Sequence, residues 1–550
     1  MIINTSRITE FLLPERKLPH RGIFLLGLAT LAAGLPLSET VTSIGEGILL
    51  INWLVEGKFV EKWKILKQRK SLWLIASVYI IHILGLIITS DFGYAFHDLR
   101  IKLPYLILPL IIGTTPQIER YQLKWIIVIF SFFITISTLV SAFILFEVIP
   151  YDFHNVHEIS LFISHIRLSL LIDIAIFCLL YLLISKEFRL YRWEFSGYLI
   201  VMIWLVFFLF LLQSLTGMMV FLITGFILFW IRLPKISHLV LKWFLAVMMI
   251  TMVLIGCAYI TKSITRFYTI TEPDREDLDL YTANGNPYTH DLNNSDIENG
   301  YYVWIYISEE ELNKEWNKIS KMDYIGKDEM GHEIRFTIIR YLTSKGLRKD
   351  SVGISKLTTE DIHFIEEGKA NYIYGRKTSL YAKLYEVIWQ IDRFRKGGNP
   401  SGHSVTQRIL YLQAGINIIK EHFWLGVGTG DVSVAFQDYY TDSDSLLDQK
   451  WRLRAHNQYI TFFLTFGIFG FLWIIFSLVY PAFLEKKWSD YFFVVFFLVG
   501  FLSMMNEDTL ETHIGISFFS FFFALFLLGV KNKEIESKSK SAQKNLSVMW

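Results

Sequence analysis

The sequence predicts an all-α polytopic membrane protein of about twelve transmembrane helices, with one large outward-facing loop that contains a small α+β module. Three observations predict this. The 550 residues are 53% hydrophobic and 16% aromatic with a net charge of only +2, and apolar runs recur at lengths near the roughly 17–25 residues that cross a bilayer. One stretch, 262–455, interrupts the pattern and holds 25 Lys and Arg against 29 Asp and Glu, with no basic excess to keep it inside. Between the apolar runs, Lys and Arg collect in alternate loops.

Spans are expected near 22–37, 41–56, 71–89, 101–114, 124–147, 166–184, 195–213, 217–231, 243–261, 457–480, 491–505 and 514–530. The fourth is short and carries Pro104 and Pro109, so a kink is expected where neighbouring helices satisfy its backbone. Lys58, Lys62, Lys64, Lys67, Arg69 and Lys70 fill one loop; Lys186, Arg189 and Arg192 another; Arg232, Lys235 and Lys242 a third; and the tail from Lys531 onward is basic. With twelve spans all of these share a side, which puts both termini in the cytoplasm and 262–455 outside. The chain then divides into a membrane domain 1–261 of about nine spans, the loop 262–455, and a membrane domain 456–550 of about three spans with a basic tail. The last outer connection is acidic, with Glu507, Asp508 and Glu511.

Within the loop, about 300–395 reads as the module. Residues 300–307 alternate as a strand would. Ser308-Glu309-Glu310-Glu311 reads as a capping box opening a helix to Ile319. A second helix is expected over 332–345 and a third from Thr358 to Gly368, with 272–299 and 396–404 as linkers. Cys178 and Cys257 lie inside apolar runs and form neither a disulfide framework nor a metal site. No Gly-rich phosphate motif, GxSxG elbow or HExxH occurs, which leaves soluble hydrolases and nucleotide-driven pumps without support.

The chemistry-bearing stretch is Trp451–Leu472. Arg452, Arg454 and His456 stand where the loop re-enters the bilayer and pass directly into an unbroken apolar helix signal. Ionisable groups there are functional candidates, although Arg452 and Arg454 could equally snorkel to head groups. Arg408 starts an amphipathic helix with Ile409, Leu412, Ile416 and Ile419 at helical spacing. Gly426, Gly428 and Gly430 then permit a tight turn or a close approach to a ligand, but without a preceding strand they are weak evidence for phosphate binding. His154 and His157 look metal-like by chance. Asp173 lies inside a span and needs a partner.

Arg408 near a helix start, then Leu-Gly-Val-Gly-Thr-Gly over 425–430, Arg-Ala-His-Asn-Gln-Tyr-Ile over 454–460 and Phe-Gly-Ile-Phe-Gly-Phe-Leu over 466–472 resembles the bacterial O-antigen ligase and polymerase superfamily. The resemblance is densest over 404–475, and the 270–400 insertion is similar to that of Bacteroidetes-type members. It implies an inner-membrane, C-type glycosyltransferase-like protein with a periplasmic loop. It also implies an inverting transfer, without metal, cofactor or nucleic acid, from an undecaprenyl-pyrophosphate-linked glycan to a hydroxyl of lipid A-core or another acceptor. By the same resemblance, the family's histidine falls on His456, its loop arginine on Arg408, and an arginine at the outer end of a span on Arg167. Many relatives carry a further arginine where this chain has Ser214-Leu215-Thr216.

The residues themselves suit those roles. Displacing a pyrophosphate concentrates negative charge, which fixed guanidinium groups stabilise, and Arg meets phosphate oxygens with a planar fork that Lys lacks. His456 is expected in the first turn of its helix, where the dipole and the adjacent Arg452 and Arg454 disfavour imidazolium. A neutral imidazole can take a proton from an attacking hydroxyl. His165 is the competing base. A repeat-unit polymerase, a protein O-oligosaccharyltransferase and, outside enzymes, a lipid-linked glycan flippase remain alternatives.

Overall fold

The computed structural model describes residues 19–153, 156–270, 278–375 and 380–531; His154 and most of the basic tail lie outside these. Each expected span coincides with a helix, from His20–Gly34 and Glu39–Glu56 at the start to Gln458–Leu484, Tyr491–Ser503 and His513–Ala524 at the end. Seven of the helices are long and apolar enough to cross a membrane, and His20–Gly34, Tyr491–Ser503 and His513–Gly529 are shorter apolar helices.

The described chain separates into two compact units, 1–232 with 408–550, and 233–407. These units part at 232 and 407, beside the membrane-topology boundaries expected at 261 and 455. Arg408–Ala455 packs with the membrane helices, and the apolar helix Leu239–Tyr268 falls in the other unit.

In the first unit, His165–Ile184 is the most enclosed of the seven span candidates. The helix Tyr491–Ser503 packs against it, and Phe496 of that helix meets the rings of Phe519, Phe522 and Phe523. Enclosure lets His165–Ile184 carry Asp173, which is fully buried with neither carboxylate oxygen hydrogen-bonded among the described residues. Pro109 sits inside Leu103–Thr114, as the short fourth span required.

The helix signal after His456 is not unbroken. Gly467 has φ 61° and ψ −172°, which divides Gln458–Leu484 into two helices. Only glycine adopts this backbone region without strain. The crossing segment 423–428 satisfies the groups that the break frees. Ile468 N donates to Phe423 O at 2.9 Å, while Val427 N and Gly428 N donate to Leu464 O and Thr465 O at 2.9 and 3.0 Å. Irregular backbone at membrane depth is tolerated only where protein supplies such partners. A Cβ at 467 would lie 2.2 Å from the Trp424 carbonyl oxygen. Gly467→Ala is therefore expected to destabilise the fold by at least about 1–3 kcal/mol. Gly47→Ala, a helical site with open space around it, should be neutral or slightly stabilising. Thermal unfolding in detergent compares the two, and equal midpoints would contradict the break.

In the helix Ser404–Glu421, the buried apolar side chains are Tyr411, Ala414, Ile418 and Ile419, while Ile409, Leu412 and Ile416 are exposed. The expected apolar stripe thus faces outward except for Ile419. Both faces of the helix are apolar, and the one that packs carries Tyr411.

In the second unit, helices Glu309–Ile319, Ile334–Ser344 and Thr359–Glu366 form where expected and close over Leu312, Trp316, Ile338, Leu342 and Ile365. The capping box at Ser308 does not form. Glu311 instead accepts from Thr282 Oγ1, Asn286 Nδ2 and Ser351 N at 2.6, 2.7 and 2.9 Å. Through those bonds the described part of the expected 272–299 linker becomes a piece of the module. The strand expected at 300–307 is absent as well. Asn299 and Gly300, at φ 52° and 91°, turn a short hairpin between Ile297–Glu298 and Tyr301–Tyr302, the conformation that Asn-Gly favours. Val303, Ile305 and Ile307 are buried as alternation predicts, but they pack without a continuous ladder.

Candidate functional site

Asn457 caps the helix Gln458–Leu484, its side chain accepting from Tyr459 N and Ile460 N at 3.0 and 3.1 Å. His456 therefore precedes the cap and is not in the first turn. Its backbone has φ 48°, a left-handed conformation that is uncommon outside glycine. Burial is the main influence lowering its pKa below the ordinary imidazole value; Arg408 and Arg454 push the same way, and Asp508 opposes them. The neutral ring that the helix dipole was expected to enforce results chiefly from desolvation.

The turn around His456 is fastened to the acidic connection 504–511. Gln458 N donates to Met504 O and Asn457 Nδ2 to Met505 O, at 2.9 and 2.8 Å. Thr461 Oγ1 donates to Asp508 Oδ1 at 2.8 Å, and the Gln458 amide bridges Glu511 Oε1 and Leu510 N. These bonds bring Asp508 beside the histidine and tie Glu511 to the start of the helix.

Arg408, on the helix Ser404–Glu421, reaches the same connection. Its guanidinium donates to Asn506 Oδ1 at 3.3 Å and to Glu507 Oε1 at 3.4 Å. Asn506 Nδ2 in turn donates to Thr216 Oγ1 at 2.5 Å. The connection that bears an arginine in many relatives thus reaches Arg408 through Thr216 and Asn506.

Arg167 lies in the first turn of His165–Ile184, with Ser164 capping its N–H at 3.4 Å. It lines a small cleft with Glu507, Asp508, Thr509, Ile514 and Phe518. Among the described residues its guanidinium makes no hydrogen bond, and Glu507 and Glu39 are the acids whose charge it feels. Arg167, Arg408 and His456 therefore converge on one acidic connection. Arg167 meets it across the cleft, Arg408 bonds it, and His456 interacts with Asp508.

The other candidates have different surroundings. Arg454 does not face head groups. Its guanidinium donates to Tyr94 Oη at 2.9 Å and to Glu511 Oε2 at 3.5 Å. Glu511 also accepts from Lys102 Nζ at 2.9 Å, and Lys102 pairs with Asp98. Burial pushes the Glu511 pKa up, but Lys102 and Arg454 together hold it below the usual carboxylate range. Arg452 donates to Leu447 O within its own loop at 3.2 Å. His165 stacks on His157 with ring centroids 4.1 Å apart.

Gly426, Gly428 and Gly430 do not cradle a ligand. Their N–H groups donate to His422 O, Thr465 O and Thr89 Oγ1. A Cβ at Gly428 or Gly430 would meet Thr89 Oγ1 at 2.7 Å or Asp91 O at 2.1 Å. The run serves close approach of backbone to helix ends, and Asp431 completes it by accepting from Ser90 N and Asp91 N at 2.7 and 2.8 Å.

Glu507, Asp508 and Glu511 were visible in the sequence only as evidence of orientation. Their signal was charge confined between two apolar helices, which marks a functional candidate wherever it is held near membrane depth. Asp98, Lys102 and Tyr94 gave no such signal.

No curated protein matches the chain. Residues 370–475, which contain Arg408, the glycine run and His456, match the family model described as O-antigen ligase. On that match, the segment 370–475 of this membrane protein is similar to the O-antigen ligase family.

Proposed function

We propose that this protein is an O-antigen ligase-type glycosyltransferase that moves a glycan from undecaprenyl pyrophosphate to an acceptor hydroxyl, lipid A-core being the acceptor of choice, at the periplasmic face of the inner membrane. The observation that carries this reading is the convergence of Arg167, Arg408 and His456 on the 506–511 connection, two of the three lying in the O-antigen ligase segment.

The donor pyrophosphate lies between Arg167 and Arg408. His456 takes the proton of the acceptor hydroxyl as its oxygen attacks the anomeric carbon. The bond from that carbon to the pyrophosphate oxygen breaks, and the lipid pyrophosphate leaves with the electron pair, stabilised by the two guanidinium groups. Attack opposite the leaving group inverts the anomeric centre. Asp508, held by Thr461, stabilises the imidazolium that results.

The direct test is transfer by purified protein from undecaprenyl-pyrophosphate-linked glycan to lipid A-core, without nucleotide. A deletion strain should accumulate carrier-linked glycan and bare lipid A-core. Lipid A-core bearing a single repeat unit would instead identify a polymerase, and an unchanged lipopolysaccharide ladder would speak against both. Arg408→Ala and Arg167→Ala are expected to weaken donor binding and turnover together, since a pyrophosphate clamp acts on ground and transition states alike. Lysine at either position should rescue partially, keeping charge without the fork. Binding and single-turnover measurements on matched folded protein check this, and full rescue by lysine would argue against bidentate recognition.

A further inference from the structure

Resting on that donor-site reading, we propose that Glu507 gates the site: the donor pyrophosphate displaces it from Arg408, and Glu507 takes up a proton as the donor binds. In the structure Glu507 takes the Arg408 guanidinium that the donor-site reading gives to the phosphate. It accepts from Arg408 at 3.4 Å and lines the cleft with Arg167 and Asp508. Both guanidinium groups act on Glu507, Asp508 lies beside it on the cleft, and Glu39 acts on Arg167. With Glu507 and Asp508 both ionised, the cleft has no surplus positive charge for a pyrophosphate diester, which is anionic on both phosphorus centres. Neutralising one of them restores that surplus.

Glu507 is the carboxylate placed to do this. Burial, with Asp508 beside it, pushes its pKa up to about 7 against the pull of Arg408 and Arg167. When phosphate oxygens take over those cations, the pull is lost and a new anion is added, so proton affinity rises further. The protonated carboxyl becomes a donor and can hydrogen-bond the phosphate that displaced it. By linkage, a ligand that prefers the protonated form binds less tightly as pH rises through the pKa of the free group. Donor affinity should therefore be level below about pH 6 and fall towards tenfold per pH unit above about pH 7.

The other titratable and charged groups are Arg408 and Arg167 directly, then Asp508, His456, Glu39 and, through Asp508, Arg454 and Glu511. His456, lowered below the usual imidazole range, stays neutral across this window, and Asp508 is the group to control.

Calorimetry in nanodiscs, with undecaprenyl-pyrophosphate-linked glycan as probe and buffers of differing ionisation enthalpy, tests the proposal. Wild type should take up protons at pH 7 and lose about fivefold in affinity between pH 7 and 8. Glu507→Gln should show no uptake and a flat profile, whereas Asp508→Asn should keep the uptake but with the slope moved to lower pH, because Asp508 no longer raises the Glu507 pKa. Binding without proton uptake in wild type, or uptake unchanged in Glu507→Gln, overturns this proposal alone. Failure of wild type to bind the probe overturns the donor-site reading and the proposal with it.

Discussion

His456→Ala is expected to lower single-turnover glycan transfer by roughly 10²–10⁴-fold, the span of a lost general base, while leaving donor binding within a few-fold of wild type. The separation follows from the site. Donor affinity is assigned to Arg167 and Arg408, and among the described residues the histidine hydrogen-bonds neither of them, feeling Arg408 only as a nearby charge. The pH profile supplies a second readout. A base must be neutral, and the pKa of this one is lowered below the usual imidazole range by burial first and by Arg408 and Arg454 next. At saturating donor, transfer should therefore rise with pH on the acid side, through a midpoint below the ordinary value near 6.5, and be level at neutrality. Loss of that acid limb in His456→Ala, with residual turnover independent of pH, would complete the assignment. Near-normal transfer in the variant would sink it.

Arg454→Ala is expected to cost about 3–5 kcal/mol of stability, the usual consequence of removing one member of a buried ion pair. Were Arg454 a head-group anchor, its loss would cost almost nothing. Here it shares Glu511 with Lys102, and Glu511 holds the start of the Gln458–Leu484 helix through Gln458. Removing one cation leaves a buried carboxylate half-compensated beneath the catalytic turn. The unfolding midpoint should fall and transfer with it, whereas Arg454→Lys should recover much of the stability by keeping the charge. Glu511→Gln combined with Arg454→Met, which removes the acid along with one of its cations, should be milder than Arg454→Ala if unpaired charge is the cause. Wild-type midpoints in Arg454→Ala would return this residue to the surface.

The sequence by itself determined where the helices lie, because hydropathy over a bilayer length is a local property that survives packing. It also marked Arg408 and His456, since their residue types recur in a short, ordered pattern around a glycine run. Three helices of the 300–395 module were legible for the same local reason. The tertiary structure alone decided what those residues touch. Lys102 and Glu511 lie 409 positions apart and Arg408 and Glu507 lie 99 apart, so no window along the chain could reveal either pair. The glycine run and Gly467 each looked permissive in isolation. Only their contact explains both, because segment 423–428 supplies the hydrogen bonds that the broken helix lacks. Arg454 shows the same limit from the other side: an arginine at a membrane boundary is head-group anchor or buried counter-ion according to a carboxylate 57 residues away, and burial, which sets the energy of that pair, belongs to the fold.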